Sequence, residues 1–196
     1  MRRVCVFCGS SPGTRPAYAE AARELGHTLV EMGIDLVYGG AGVGLMGILA
    51  QAVLDGGGRV TGVIPRVLVE REVAFTRLED LRIVESMHER KALMASLSDG
   101  FIALPGGIGT IEEFVEVLTW AQLGIHCKPC GLLNIGGYYG RLLGFFDHMA
   151  AEGFVRPDTC ARVLVGHDPA VLLMKMNLYR PPPKGKGEQA VQLKNT

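Results

Sequence analysis

The sequence predicts one α/β domain built on a doubly wound parallel sheet with helices on both faces. The chain has 196 residues, a length that suits a single domain with one core. Nearly continuous apolar runs, typical of strands buried on both faces, alternate with helical segments. The 27 glycines lie mostly in short clusters between these runs, which indicates tight loops on a sheet.

The strands and helices are predicted in a regular order. Predicted strands lie at 4–8, 34–39, 59–65, around 82–84, 99–107 and 128–135. Predicted helices lie at 17–32, from the 39–47 loop to about 54, and at 86–98, 110–124, 138–152 and 169–177. Residues 66–80 are predicted to be a charged loop. The folded domain spans 1–179, and the proline-rich and then polar segment 180–196 is expected to be a disordered tail.

The segment 110–124 has the clearest amphipathic pattern. Its apolar residues Ile111, Phe114, Val115 and Leu118 follow the spacing i, i+3, i+4, i+7. We therefore expect these four side chains to face the core.

Charge and hydropathy argue against several classes of protein. Lys+Arg and Asp+Glu both number 20, so the net charge is zero, whereas a general nucleic-acid binder usually has a basic excess. The apolar run near the N-terminus is too short for the core of a signal peptide, and no stretch approaches the length of a membrane span. We expect a cytoplasmic protein with no nucleic-acid or membrane partner. Its neutral charge weakly favours self-association.

Two C-x-x-C pairs occur among the five cysteines, Cys5, Cys8, Cys127, Cys130 and Cys160. Zinc sites use such spacing. However, the odd separation of the first pair within a predicted strand places its thiols on opposite faces of the sheet. The second pair flanks the start of another strand. We therefore expect buried thiols in a reducing compartment and no metal site.

The loop after the second strand contains Gly42, Gly44 and Gly47 in the pattern G-x-G-x-x-G. This pattern suggests a dinucleotide site, and hence a dehydrogenase as one alternative. However, it follows the second strand instead of the first, and no acidic residue ends the next strand to hold a ribose. Glycines also let backbone N–H groups approach an oxygen-rich ligand, so a mononucleotide or its sugar is favoured.

A second glycine loop, 105–110, ends a buried strand and opens a helix at once. The free N–H groups and the positive end of the helix dipole at such a point form a ready site for phosphate. The alternative is a tight strand-to-helix turn with Thr110 as N-cap. Thr110 and Glu113 also fit a capping box, so Glu113 has a structural interpretation beside a catalytic one.

Arg90 is predicted to point inward. It shares a helical stripe with Met87, Met94 and Leu97, and a buried arginine needs an anionic partner. Candidate partners are Glu113, Glu72 and a ligand phosphate. The pattern Ser86-x-x-Glu89 is another capping box, so Glu89 is interpreted as structural, and His88 is interpreted as a polar residue that faces elsewhere.

These residues also carry a resemblance to a known family. Residues 87–91, MHERK, look like the family motif M-H-x-R-K, and residues 105–113, PGGIGTIEE, look like P-G-G-x-G-T-x-x-E. Further agreement comes from residues 8–11, 38–47 and 119–126. The sequence thus resembles the LONELY GUY family of cytokinin riboside 5′-monophosphate phosphoribohydrolases, over roughly residues 4–168.

The resemblance implies a Rossmann-like fold, a homodimer, and hydrolysis of a nucleoside 5′-monophosphate to free base and ribose 5-phosphate without a cofactor. It implies that Arg90 and Glu113 are catalytic. The implied nucleotide contacts are Glu72, Lys91, Gly106, Gly107, Gly109, Thr110, Glu112 and Thr119, with Gly9, Ser10, Gly40 and Gly44 as further candidates in the glycine loops. One departure is Ala41-Gly42, where many plant members have Gly-Ser.

A carboxylate such as Glu113 can stabilise the positive charge that develops on the sugar or activate the attacking water. The alternative from another class is a binding protein, such as a molybdenum-cofactor carrier, with a similar sheet and phosphate loop but no turnover. Many relatives carry the label lysine decarboxylase, which implies a pyridoxal phosphate lysine. Only Lys91 is well placed for that role, and its sequence surroundings do not suggest such a pocket. The base that the site prefers is not specified by these patterns.

Overall fold

The computed structural model describes residues 1–69 and 74–181. The strands are β1 (Arg3–Phe7), β2 (Asp35–Tyr38), β3 (Val60–Pro65), β4 (Asp80–Val84), β5 (Gly100–Ala103), β6 (Cys130–Leu133) and β7 (Val163–Gly166). The helices are α1 (Pro16–Glu31), α2 (Gly44–Asp55), α3 (Arg66–Val69), α4 (Met87–Leu97), α5 (Ile108–Gln122), α6 (Gly140–Ala151), α7 (Pro157–Cys160) and α8 (Pro169–Leu178). A 3-10 turn, Ile135–Gly137, precedes α6.

The strands form one parallel sheet in the order β4-β3-β2-β1-β5-β6-β7. The chain builds outward from β1 to β4 and then returns to the other side of β1 with β5. The direction of winding therefore reverses between β1 and β5, and ligands of such sheets bind at this reversal, at the carboxyl ends of the strands. The predicted fold class is confirmed.

Helices cover both faces of the sheet. On one face, α1, α2 and α8 pack on a buried cluster that includes Leu25, Leu49 and Leu172. On the other face, the cluster includes Met94 of α4 and Phe114 of α5. The strands β1, β5 and β6 are almost fully buried, which explains why they were recognisable as continuous apolar runs. Within the described residues, no helix is both long and apolar enough to cross a membrane.

The structure contains elements that the sequence patterns did not predict. The strand β7 was missed because it has only four residues, and all of them except Gly166 are only half-buried at this edge of the sheet. The helices α3 and α7 were missed because each has four residues, too few to produce a helical period. The predicted loop 66–80 thus begins with a helical turn. Residues 182–196, most of the predicted tail, lie outside the described residues.

The helix α5 begins two residues earlier than predicted, and its buried face differs. The buried residues of α5 are Thr110, Glu113, Phe114, Val117, Leu118 and Ala121. Val115, predicted to face the core, is 36% exposed, and Ile111 is only half-buried. The apolar pattern of this helix therefore covers a second, outward face as well as the core.

Cys5 and Cys8 lie in the clusters on opposite faces of the sheet, as the odd separation predicts. The expectation that all five thiols are buried is wrong for Cys127, which is exposed, and for Cys160, which is half-buried. Within residues 1–69 and 74–181, no group of three or more His, Cys, Asp or Glu side chains is arranged to hold a metal ion.

Candidate active site

Three glycine loops meet at the carboxyl ends of β1, β2 and β5. The amide of Gly9 donates to the carbonyl of Pro105 at 3.1 Å, which ties the loop after β1 to the loop after β5. On the other side, the amide of Leu45 donates to the carbonyl of Gly9 at 3.0 Å. The loops are thus held by backbone hydrogen bonds at the position where the winding of the sheet reverses.

Side chains would not fit where these loops touch. A Cβ on Gly106 would lie 2.1 Å from Oγ1 of Thr110 and 2.8 Å from the amide nitrogen of Gly9. A Cβ on Gly44, whose φ is +58°, would lie 2.2 Å from the carbonyl carbon of Ser10. Glycine at these two positions therefore permits the close packing of the three loops.

A crevice of about 300 Å³ opens between these loops. Its lining includes Ser10, Tyr18, Leu45, Gly106, Gly107 and Tyr138. We call it the switch-point crevice, because it lies where the order of the strands reverses. Clefts at this position are where open α/β sheets bind their ligands.

The first turn of α5 presents backbone N–H groups at this crevice. The N-cap residue is Gly107, which has no side chain to bond the amides of the first turn. A Cβ on Gly107 or Gly109 would meet nothing within 4 Å, so the surface beside these amides is open. With the positive end of the helix dipole, this arrangement suits a phosphate group.

Arg90 and Glu113 form a buried ion pair next to this loop. Nη1 of Arg90 donates to Oε1 of Glu113 at 2.8 Å, and the side chains are only 7% and 10% exposed. Nε of Arg90 donates to the carbonyl of Val63 at 3.1 Å. The guanidinium is thus held by both the sheet and the carboxylate. Of the partners that the sequence left open for Arg90, Glu113 is the one seen in contact with it among the residues that the structure describes.

The guanidinium occupies space that Gly39 leaves free at the end of β2. A Cβ on Gly39 would lie 2.1 Å from Nη2 of Arg90 and 3.2 Å from the sulfur of Met46. The predicted inward stripe on α4 is confirmed for Arg90 and Met94 and wrong for Met87, which is 43% exposed. Met87 is the first residue of the helix, and the buried stripe begins only at Arg90.

Lys91 lies beside this pair and contacts two further carboxylates. Its Nζ lies 2.5 Å from Oε1 of Glu112 and 3.1 Å from Oε2 of Glu116, and its side chain is 10% exposed. We call Arg90, Lys91, Glu112, Glu113 and Glu116 the ion cluster. With all five groups charged, three carboxylates oppose two cations, so the cluster carries one net negative charge.

Burial raises the pKa of Glu113 above its ordinary value, and the charge of Arg90 partly opposes this effect. Glu112 raises the pKa of Glu113 further, because it is a negative neighbour. The hydrogen bond with Glu112 raises the pKa of Lys91, so that amine is held in its charged form. A carboxyl group with a raised pKa, fixed beside a helix start whose N–H groups suit an anion, is typical of a catalytic site.

The capping-box interpretation of Glu113 is wrong. Because α5 begins at Ile108, Thr110 is the third residue of the helix and Glu113 the sixth, too far along to reach the helix start. The carboxylate bonds Arg90 instead. The predicted cap of α4 is confirmed, since Oγ of Ser86 accepts the amide of Glu89 at 3.1 Å. The carboxylate of Glu89 accepts the amide of Glu85 at 2.9 Å, in keeping with its structural interpretation.

Most of the candidate residues come together. The structure brings Gly9, Ser10, Gly44, Gly106, Gly107, Gly109 and Thr110 to the joined loops, and Arg90, Lys91, Glu112 and Glu113 to the ion cluster. Gly40, with φ of +75°, accepts the amide of Phe75 at 2.8 Å. Thr119 is exposed, and its hydroxyl donates to the carbonyl of Val115 at 2.7 Å. Glu72 lies outside the described residues.

Three residues at this site were not among the candidates. Glu116 contacts Lys91, Gly39 leaves room for Arg90, and Tyr138 donates its hydroxyl to the carbonyl of Gly106 at 2.5 Å. The spacing of Glu116, four residues after Glu112, was a usable signal, since it places both carboxylates on one face of a helix. The other two contacts join distant parts of the chain and have no local signal.

The chain is similar to several known proteins. The family model described as "Possible lysine decarboxylase" matches residues 46–176. A probable cytokinin riboside 5′-monophosphate phosphoribohydrolase of Oryza sativa subsp. japonica is 56% identical over 182 residues, covering 93% of this chain and 74% of the relative. A cytokinin riboside 5′-monophosphate phosphoribohydrolase of Arabidopsis thaliana is 54% identical over 180 residues, covering 92% and 84%.

Solved structures with a similar fold include the molybdenum cofactor carrier protein from Chlamydomonas reinhardtii, with a TM-score of 0.68 and 21% identity, covering 91% of this chain and 99% of that chain. The molybdenum cofactor binding protein from Rippkaea orientalis has a TM-score of 0.67 and 19% identity, with coverages of 91% and 99%. At these identities, the likeness extends to the fold alone.

The fold and the charged site define a Rossmann-like α/β protein with a polar site at the carboxyl ends of its strands. The phosphoribohydrolases that are 54% and 56% identical to most of this chain identify the family within that class. The chain belongs to the LONELY GUY family of cytokinin riboside 5′-monophosphate phosphoribohydrolases.

The surroundings of Lys91 do not fit the decarboxylase description of the family model. A pyridoxal phosphate enzyme needs a lysine amine that can lose its proton and form a Schiff base. Glu112 and Glu116 instead hold the Lys91 amine as a cation and raise its pKa. Burial lowers the pKa of Lys128, but this residue precedes β6 at the amino end of the strand, away from the glycine loops.

Proposed function

We propose that this protein hydrolyses the N-glycosidic bond of adenosine 5′-monophosphates, including N6-modified ones, and releases the free base and ribose 5-phosphate. The observation that carries the proposal is the buried Arg90–Glu113 pair at 2.8 Å, next to an uncapped helix start suited to phosphate. The highly identical phosphoribohydrolases support the same substrate class.

The helix start would hold the 5′-phosphate. Backbone N–H groups of Gly107, Ile108 and Gly109 are the donors, and the open surface beside both glycines admits the phosphate oxygens. A phosphate fixed there places the ribose near the first turns of α5, where Glu112 and Glu113 lie. Glu112 is assigned to contact the ribose, which requires its bond with Lys91 to be shared with a sugar hydroxyl.

Glu113 would act on the anomeric carbon. When the bond to the base breaks, positive charge develops on the ribose ring, and a nearby carboxylate stabilises that charge and accepts a proton from the attacking water. Arg90 holds one oxygen of Glu113 and lowers its pKa, so that more of the carboxyl is ionised. The net negative charge of the ion cluster favours the cationic transition state.

The proposal includes a homodimer. The outward face of α5 and the turn after it expose apolar side chains: Ile108 is 90% exposed, Leu123 51% and Ile125 53%. Together with Val115, they form what we call the α5 outer face. An apolar face of this kind is typical of a surface that a partner covers, and a second copy would bury it beside the active site of each protomer.

The proposal also places the protein in the cytoplasm. All five cysteines are free thiols, and three of them are buried. Free thiols are typical of proteins from a reducing compartment.

A chromatographic assay tests the proposed activity. The purified protein is incubated with AMP, with isopentenyladenosine 5′-monophosphate and with adenosine, and free base and ribose 5-phosphate are quantified. We expect base and ribose 5-phosphate in equal amounts from the monophosphates and much slower release from adenosine, which lacks the phosphate. The ratio of the two monophosphate rates gives the preferred base. No release by folded protein would contradict the proposal.

A further inference from the structure

Three consecutive carbonyl groups in the loop after β5 accept hydrogen bonds from two other segments of the chain. The hydroxyl of Tyr139 donates to the carbonyl of Leu104 at 2.5 Å. The amide of Gly9 donates to the carbonyl of Pro105 at 3.1 Å. The hydroxyl of Tyr138 donates to the carbonyl of Gly106 at 2.5 Å. These intramolecular contacts fix the orientation of three successive peptide planes.

The orientation of each carbonyl sets that of the next N–H group. A peptide unit is planar and trans, so its C=O and the N–H of the following residue point in opposite directions. The contact with Tyr138 therefore fixes the N–H of Gly107, the N-cap of α5. The contact with Tyr139 fixes a peptide whose nitrogen belongs to Pro105, which has no N–H to offer.

Tyr138 itself is held in place by two aromatic neighbours. Its ring meets that of Tyr18 edge-on, with centroids 5.6 Å apart, and that of Tyr139 edge-on at 5.0 Å. It also lines the switch-point crevice and is 42% exposed. The side chain thus belongs to the wall of the crevice and can fix the loop without being part of the core.

The geometry points to Tyr138 as a positioning residue for the 5′-phosphate: its hydroxyl holds the Gly106 carbonyl so that the Gly107 N–H faces the anion. A donor that is already aligned binds an anion without first reorganising the loop. This inference rests on the proposed function for the identity of the ligand. It adds a side chain that acts on the phosphate through the backbone.

The test is the variant Tyr138→Phe, which removes the hydroxyl and keeps the ring. We expect KM for AMP to rise about fivefold, the effect of one lost hydrogen bond, while kcat changes by less than about twofold. Inhibition by ribose 5-phosphate should weaken by the same factor. Inhibition by adenosine, which has no phosphate, should be unchanged.

Tyr139→Phe is the matched control, because it removes a hydroxyl from the same loop but frees no N–H donor. We expect it to lower the melting temperature, since Tyr139 is buried, and to leave the ratio of ribose 5-phosphate to adenosine affinity unchanged. Equal weakening of ribose 5-phosphate and adenosine by Tyr138→Phe would overturn the inference, as would no change in either.

Calorimetric titration of the wild type and Tyr138→Phe with ribose 5-phosphate separates this inference from the proposed function. If the wild type releases no base, the proposed function fails, and the titration still decides the role of Tyr138. A wild type that binds neither ribose 5-phosphate nor inorganic phosphate would contradict both.

Discussion

Arg90 and Glu113 are 23 residues apart in the chain, yet their side chains meet at 2.8 Å and are almost completely buried. The pair joins α4 to α5, and through Nε of Arg90 it also joins α4 to β3. A buried ion pair contributes little net stability, because desolvation offsets the attraction, but removal of one partner leaves an uncompensated charge. These properties allow the structural and catalytic roles of the pair to be separated.

Arg90→Met should destabilise the fold by about 3–5 kcal/mol, because the carboxylate of Glu113 would remain buried without its partner. The double variant Arg90→Met/Glu113→Leu should recover most of that loss and still release no base. Urea denaturation of the two single variants and the double variant measures the coupling. If the losses in unfolding free energy of the two single variants add up to that of the double variant, the two side chains do not stabilise each other. Base release by the double variant would exclude a catalytic role for the pair.

The acid side of the pH profile should report on Glu113. Its pKa is raised above the ordinary 4.5, and catalysis needs the ionised carboxylate, so kcat/KM should fall as pH drops through a value above 4.5. Glu112→Gln removes a negative neighbour that raises this pKa, so the fall should move to lower pH. Glu20→Gln, an exposed change on α1, is the control and should not move it. A shift to higher pH in Glu112→Gln would contradict this assignment.

The raised pKa of Glu113 also makes the stability of the fold depend on pH. A carboxyl whose pKa is higher in the folded state than in the unfolded state destabilises the fold once it is ionised. The contribution of Glu113 should therefore favour folding below the ordinary value and weaken as pH rises through the raised one. Comparison of the unfolding free energies of the wild type and Glu113→Gln over a series of pH values from about pH 4 upward isolates this contribution. A difference that does not vary with pH would contradict the raised pKa.

Gly39→Ala should displace Arg90, because the new Cβ would lie 2.1 Å from Nη2. We expect loss of activity with a stability cost of about 1–3 kcal/mol, as for other overpacked sites. Gly144→Ala in α6 is the matched control, since its Cβ would meet nothing within 4 Å and alanine favours a helix by about 0.5–1 kcal/mol. Base release and thermal melting, measured for both variants, test this expectation. Full activity of Gly39→Ala would mean that the guanidinium can occupy another position.

Leu123→Lys should weaken the proposed homodimer, because it places a charge on the α5 outer face, where this residue is 51% exposed. Light scattering coupled to size exclusion should give a lower mass for this variant than for the wild type. Phe154→Lys is the control, since Phe154 is 84% exposed but lies between α6 and α7. A monomeric wild type would contradict the proposal directly.

The sequence was most informative where the signal is local. The buried strands β1, β2 and β5 and the glycine loops after them follow from apolar runs and from glycine placement, and the inward position of Arg90 follows from its helical stripe. The start of α5 was predicted two residues too late, because Thr110 and Gly107 are both acceptable N-cap residues and the local sequence does not distinguish them.

The contacts that complete the site depend on tertiary packing. Two contacts join segments that are distant in the chain: Arg90 lies in the space left by Gly39, and Tyr138 donates to the carbonyl of Gly106. No local sequence pattern predicts such contacts. The exposure of Val115 was also not predicted, since an amphipathic pattern does not tell which of two apolar faces of a helix meets the core.

The most direct test of the central claim is the rate of base release from AMP by Glu113→Gln, measured beside the wild type and beside calorimetric binding of AMP to both. Glutamine keeps the size of the side chain and an acceptor for Arg90 but cannot carry the charge that the transition state requires. We expect AMP to bind within about tenfold of the wild type and release to fall by about a thousandfold or more. A folded Glu113→Gln protein that releases base within about tenfold of the wild-type rate would contradict the account.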